Sequence, residues 1–155
     1  MTIEELLASE EIKKLRVRYG HYLDGCNADG LASLFTEDAV CNFGSYGLWT
    51  GREEIRRNYR DTMARLYNNI PYGAVHANTN HWVELTGPES AVGRAYLIDL
   101  APRVGAEKLP LTWVGLYDEE YRKIGGIWLI YRSNLQFFWP QRAVSEGFGP
   151  EFPPG

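Results

Sequence analysis

Three features of the sequence predict an α+β fold, with helices first and a strongly curved antiparallel sheet after them. Apolar residues recur at helical spacing as far as Leu66. The pattern changes to period two after Pro71, in segments rich in Val, Ile, Tyr, Trp and Thr. Short Gly- and Pro-containing breaks separate those segments, and consecutive strands joined by short turns pair antiparallel.

The elements follow in order. Thr2 with Glu5 three residues on is a capping-box pattern that starts a helix near the N-terminus. A break near Ser9 is allowed, and the main helix is expected over residues 10–23. Its apolar face is Ile12, Leu15, Tyr19, Tyr22 and Leu23, closed by Asp24 and Gly25. A second short helix is expected over residues 28–35, a first strand over 37–43, and a loop or hairpin over 44–49. Thr50 and Glu53 repeat the capping box and open a third helix to Leu66, with Ile55, Tyr59 and Met63 inward. Long strands are expected over 74–85, 90–101, 110–122 and 127–139. Residues 140–155, with no periodic pattern, form an extended tail on a single domain spanning 1–155.

Composition narrows the function. A chain of 155 residues, 45% hydrophobic, holds one core. Five Trp and ten Tyr exceed what so small a core needs, which points to an aromatic-lined cavity for a small molecule. The net charge is -4 and the arginines at 52, 56, 57 and 60 alternate with acids, so no nucleic-acid surface is expected. Two cysteines make neither a disulfide framework nor a metal motif. With an acidic N-terminal run in place of a signal peptide and no apolar stretch long enough for a bilayer, a cytoplasmic protein without membrane contact is expected.

Asp24, at the end of a buried helix face, is a carboxylate that needs a partner. His76 lies in the first long strand. Alternation there groups His76, Asn78, Asn80, Trp82 and Glu84 on one face. The more apolar set Val75, Ala77, Thr79, His81, Val83 and Leu85 lies on the other. Taken alone, alternation turns His76 outward and sets it opposite His81, which argues against a metal site from His76, His81 and Glu84. His21 and His81 have no partner in the pattern. Phe43, Tyr46, Trp49, Trp113 and Phe137 read as core or cavity wall, and Asn80 and Asn134 as sources of orienting hydrogen bonds.

The order and spacing of several segments resemble the SnoaL-like branch of the NTF2-like superfamily. These are Ile12–Leu15–Tyr19, Leu23-Asp24-Gly25, the run 31–40, Gly51 to Ile55, His76 with Asn80, Tyr117 to Tyr121, and 126–130. The resemblance covers about residues 10–139 and implies a cone-shaped fold, three helices closing a curved sheet over a deep pocket. Within the superfamily the chain is similar to scytalone dehydratase, bile-acid 7α-dehydratase and hexachlorocyclohexane dehydrochlorinase. Those lyases use no cofactor and no metal; a His removes a proton and an Asp orients it. Residue by residue, the resemblance carries the Asp to Asp24 and the His to His76, and makes Tyr19 an assisting acid. On the last strand the pocket arginine falls on Ser133 by simple count, one position after Arg132. Either Arg132 serves through a bulge, or Ser133 lines the pocket. Phe43 replaces a second tyrosine.

The chemistry expected of such a pair is proton abstraction beside a carbonyl or a good leaving group. An unperturbed imidazole titrates at about 6.5, which suits a general base, and a carboxylate on its other nitrogen fixes the tautomer. The substrate expected is small, largely apolar and cyclic. Two other readings stand beside this lyase or isomerase: an epoxide-hydrolase-type enzyme, for which Asp99 is the nearest extra carboxylate, and a non-catalytic binding or partner domain. A homo-oligomer, trimeric or dimeric, is expected from the apolar second sheet face, with Phe148 and Phe152 available to clasp a neighbour.

Overall fold

The computed structural model describes residues 1–149. Helix α1 runs unbroken over Ile3–Asp24, without the break allowed near Ser9. Its capping box forms: Glu5 N–H donates to Thr2 Oγ1 at 3.1 Å and Thr2 N–H to Glu5 Oε2 at 2.6 Å. The reversal after Asp24 uses Cys26 at φ 57°, with Gly25 in ordinary space at φ -79°. Helix α2 is Ala28–Ala32, shorter than expected, and β1 begins earlier, at Phe35–Asn42. A 3₁₀ turn at Gly44–Tyr46 leads to the short strand β2, Leu48–Thr50. Helix α3 is Arg52–Tyr67. Its expected Thr50–Glu53 box does not form; Gly51 is the N-cap, and Glu54 instead accepts from the Thr50 N–H at 2.8 Å.

Four long strands follow: β3 Val75–Gly87, β4 Ser90–Leu100, β5 Leu111–Ile124 and β6 Ile127–Trp139. The six strands form one curled, unclosed sheet in the order β2-β1-β6-β5-β4-β3. All neighbours pair antiparallel except β1 with β6, which run parallel; β2, α3 and the three long strands β3–β5 lie between them in the chain. Helix α1 packs on β3 and β6, and α3 on β1 and β2. The core between helices and sheet is built on Ile12, Leu31, Phe35, Ile55, Met63 and Ile130, all excluded from solvent. Burying side chains of this kind contributes roughly 1.5–3 kcal/mol each.

Two β-bulges decide which side chains reach this interior. On β3, Thr79 pairs with Tyr96 but Trp82 with Arg94, so one extra residue is accommodated around Asn80, at φ 51°. Before the bulge the even-numbered His76 points inward; after it the odd-numbered Val83 and Leu85 do. On β6, Arg132 pairs with Glu120 but Ile130 with Tyr121, so Tyr131 is the extra residue and Trp128 and Ile130 share the inner face with Ser133. After β6 the chain folds back, Ala143 pairing with Phe137, and Phe148 lies against Phe138 and Arg94. Phe152 lies outside the described residues. Among those residues no helix is long and apolar enough to cross a membrane.

Candidate active site

Asp24 and His76 meet where the last turn of α1 crosses the start of β3. The Asp24 carboxylate accepts from His76 Nδ1 at 2.6 Å and from the His76 backbone N–H at 3.1 and 3.2 Å. Both residues are buried. Gly20 permits the approach: a Cβ there would stand 3.0 Å from the His76 carbonyl oxygen, so even an alanine would require α1 and β3 to give by a few tenths of an ångström. With the Nδ1 proton engaged by the carboxylate, Nε2 keeps its lone pair. Two groups approach it, the Tyr67 hydroxyl at 3.3 Å and Asp99 Oδ2 at 3.7 Å. Burial holds the Asp99 carboxyl above its ordinary range; the nearby imidazole opposes that shift and Asp24 adds to it. Burial, with Asp99 next, likewise pushes the Tyr67 hydroxyl up, so it is a neutral donor.

Nε2 belongs to the wall of a cavity of about 70 Å³ between helices and sheet. Its walls are aromatic, and the rings brace one another edge-to-face: Phe43 on Trp49 at 5.1 Å, Trp49 on Tyr59 at 5.1 Å, Trp113 on Phe137 at 4.9 Å. The Trp113 indole N–H donates to the Tyr46 hydroxyl at 2.9 Å. Three phenols, Tyr19, Tyr59 and Tyr117, bring their hydroxyls together at one end: Tyr19 and Tyr59 share a short hydrogen bond, and Tyr117 donates to Tyr19 at 3.4 Å.

Beneath those phenols lies a second, closed polar cluster. Arg16, fully buried on α1, donates from Nε to Glu119 Oε2 at 2.8 Å, from Nη2 to Oε1, and from Nη2 to Ser133 Oγ at 3.0 Å. Tyr121 donates to Glu119 Oε2 at 2.6 Å, and His81 Nε2 lies 3.0 Å from the Tyr121 hydroxyl. The guanidinium also lies 3.7 Å from the ring centre of Tyr117 and 4.1 Å from that of Tyr19. Burial works against the Glu119 charge, but the Arg16 charge and hydrogen bonds outweigh it and hold the carboxyl below its ordinary range.

The structure therefore gathers His76 and Tyr19 at one cavity with Phe43, Tyr46, Trp49 and Trp113, and Asp24 stands behind His76 on its Nδ1 side. It does not bring Arg132 or Asn80 there. Arg132 lies on the outer face, half exposed, 3.6 Å from Glu120, and Asn80 is exposed at its bulge. Ser133 is buried but sits below the cavity on Arg16. His76 and His81, expected on opposite faces, are both turned inward by the β3 bulge, His81 onto Tyr121. The sequence pattern gave no site role to Tyr67, Tyr59, Tyr117, Arg16 or Glu119. The last two carried a signal: a charged residue on the apolar face of α1, and an acid in the inward row Tyr117–Glu119–Tyr121. Among the described residues no group of His, Cys, Asp and Glu has the arrangement of a metal site.

Several solved structures share this fold. A candidate scytalone dehydratase from Novosphingobium aromaticivorans is 21% identical with a TM-score of 0.77, over 96% of this chain and 99% of that one. LinA is 20% identical with a TM-score of 0.71, over 96% and 98%. A candidate aromatic ring hydroxylase from N. aromaticivorans is 27% identical with a TM-score of 0.70, over 85% and 90%. No curated protein matches the chain. The SnoaL-like domain profile matches residues 4–134, and over that span the chain belongs to the SnoaL-like domain family.

Proposed function

We propose that this protein is a cofactor-independent lyase or isomerase for a small, largely apolar cyclic substrate, with His76 as the base and Asp24 as the group that orients it. One observation carries the reading. The imidazole is held by Asp24 through Nδ1 at 2.6 Å, while Nε2 faces an aromatic cavity beside a carboxyl. In the elimination, Nε2 takes a proton from a carbon next to a carbonyl, displacing Tyr67 from its lone pair. The C–H electron pair becomes the new double bond, and the leaving group departs from the neighbouring carbon with its own bonding pair. A departing hydroxide takes the imidazolium proton from Nε2 and leaves as water, which returns His76 to its free-base form. Asp24 stabilises the imidazolium throughout. Without a leaving group, return of the proton to another carbon is an isomerisation.

Asp99 also favours a second reading, a hydrolase of the epoxide-hydrolase kind, because that chemistry needs a carboxyl beside the base to position water. Product mass separates the two: a lyase product has lost the elements of HX, and a hydrolase product has gained water. The test begins with a thermal-shift screen of cyclic ketones, steroids and halogenated hydrocarbons, followed by turnover assays on the hits. His76→Ala is expected to abolish turnover with the fold intact. Asp24→Asn is expected to lower kcat by about three decades. Turnover that survives His76→Ala overturns the assignment.

A further inference from the structure

Away from the cavity, α1 passes the hairpin that joins β5 to β6. Glu11, Lys14, Leu15 and Arg18 stand at i, i+3, i+4 and i+7, so they share one face of α1. Together with Gly126, Ile127 and Trp128 they line a groove of about 280 Å³. Gly126 leaves the hairpin side open, since a Cβ there would meet nothing within 4 Å. Trp128 is 3% exposed, and its buried indole N–H has no acceptor among the described residues. A buried Trp N–H usually finds a partner, and a donor left without one costs free energy. The two cations of the groove, Lys14 and Arg18, form no ion pair and no hydrogen bond among the described residues. Glu10, whose charge Lys14 also feels, is engaged by Lys13 at 2.8 Å. Glu11 is the one acid lining the groove, against two cations, so the lining has a single positive charge in excess. Lys123 Nζ adds a further positive charge 5.8 Å from the Trp128 ring centre. Leu15, Ile127 and the indole ring supply apolar wall.

We propose that this groove between α1 and the β5–β6 hairpin is a second ligand site, which binds a monocarboxylate carrying an apolar body. One carboxylate oxygen accepts from the Trp128 N–H, and the other lies between the Lys14 ammonium and the Arg18 guanidinium. The apolar body rests on Leu15 and Ile127. One negative charge matches the excess of the lining, whereas a phosphate dianion brings a second charge toward Glu11. A neutral alcohol could use the N–H but would leave both cations unpaired. The bound carboxylate ties α1 to the hairpin and stabilises the folded chain by mass action. None of these residues borders the cavity of His76, so the site stands independently of the lyase reading.

The test is a titration of octanoate into the full, nitrogen-15-labelled chain, followed on the indole N–H resonances of its five Trp. The Trp128 resonance is assigned through bonds in the parent chain, so no variant of the core is needed. Octanoate is expected to move that resonance downfield along a saturating curve, with a Kd at or below roughly 1 mM. Octanol has the same chain without the charge, and inorganic phosphate has charge without the apolar body. Each is expected to bind there at least about tenfold more weakly. The double variant Lys14→Gln, Arg18→Gln changes only exposed side chains. It should weaken octanoate by on the order of tenfold and flatten the dependence of binding on salt. Octanoate that enters the aromatic cavity instead leaves the Trp128 resonance where it was, and that result overturns the site. So does octanoate binding that the double variant leaves unchanged. Octanol or phosphate shifting the Trp128 resonance at the same concentrations as octanoate overturns the choice of a monocarboxylate.

Discussion

Asp24 and Glu119 are both buried, each against a nitrogen-bearing side chain, and their surroundings differ in one respect. Glu119 is held by protein on both oxygens: Oε1 takes Arg16 Nη2, and Oε2 takes Arg16 Nε and Tyr121. Asp24 also accepts several hydrogen bonds, all from one residue, His76, whose far nitrogen opens on the cavity. The first cluster is buried and ties α1 to β5 and β6. The second is closed on one side only. Burial of charge does not by itself mark a reactive site. What distinguishes the Asp24–His76 pair is a lone pair held in fixed orientation toward a space that another molecule can enter.

The comparison breaks first, and by the largest margin, at Glu119. Glu119→Gln removes the counter-charge of a guanidinium with no access to water, and loss of one partner of a buried pair typically costs 3–5 kcal/mol. Urea unfolding should register a loss of that order for Glu119→Gln, whereas His76→Ala should abolish activity at a smaller cost in stability, because the residue-76 backbone N–H still donates to the Asp24 carboxylate. If Glu119→Gln unfolds at the parent's urea concentration, the closed cluster is not holding the fold and the contrast is wrong.

Next in size is the pH response of His81, at the edge of the closed cluster. It packs on Tyr121, with Glu119, Arg16 and Lys13 as its charged neighbours. Burial lowers its pKa to about 4, Glu119 opposing the shift. Its folded pKa is thus below the unfolded value of about 6.5. The unfolded chain binds the proton first, so the stability is present above pH 6.5 and is lost as pH falls toward 4. The loss is about 3 kcal/mol from the depressed pKa. Glu119, held low, adds loss as pH falls through the carboxylate range, while Asp99, held high, works in the opposite direction. His81→Gln keeps a hydrogen bond toward Tyr121 without the titration. Urea midpoints measured at pH 7 and pH 4.5 should therefore differ less in His81→Gln than in the parent; equal differences would show that His81 is not buried in its neutral form.

Much of the fold was legible because its signals are periodic. The face Ile12–Leu15–Tyr19–Leu23 and the four strand segments read directly onto α1 and β3–β6. The parallel pairing of β1 with β6 was not legible, since it joins segments more than 80 residues apart with no local mark. The candidate site was legible mainly through resemblance. Strict alternation sent His76 outward, because it mixes residues on either side of the Asn80 bulge, where the inward parity changes from even to odd. Nothing in the local sequence announces that bulge beyond an Asn able to take a positive φ. The cavity-end phenols come from α1, α3 and β5, and only folding in three dimensions unites them.

The smallest effects come from two adjacent residues on β6, where the Tyr131 bulge decides which of the pair faces inward. Ser133 lies in the closed cluster and accepts from Arg16 Nη2 at 3.0 Å with no exposure. Ser133→Ala leaves a buried donor without that acceptor and should cost about 1 kcal/mol. Arg132 stands outside, half exposed, paired with Glu120 across a solvated face. Such pairs contribute about 0–1 kcal/mol, so Arg132→Ala should shift the urea midpoint less than Ser133→Ala and leave kcat and KM unchanged. Neither side chain borders the cavity, so the order of the two stability losses reports only on which face each occupies. A kcat loss in Arg132→Ala would mean that the last strand presents its arginine to the cavity, with its inner face beginning one residue earlier.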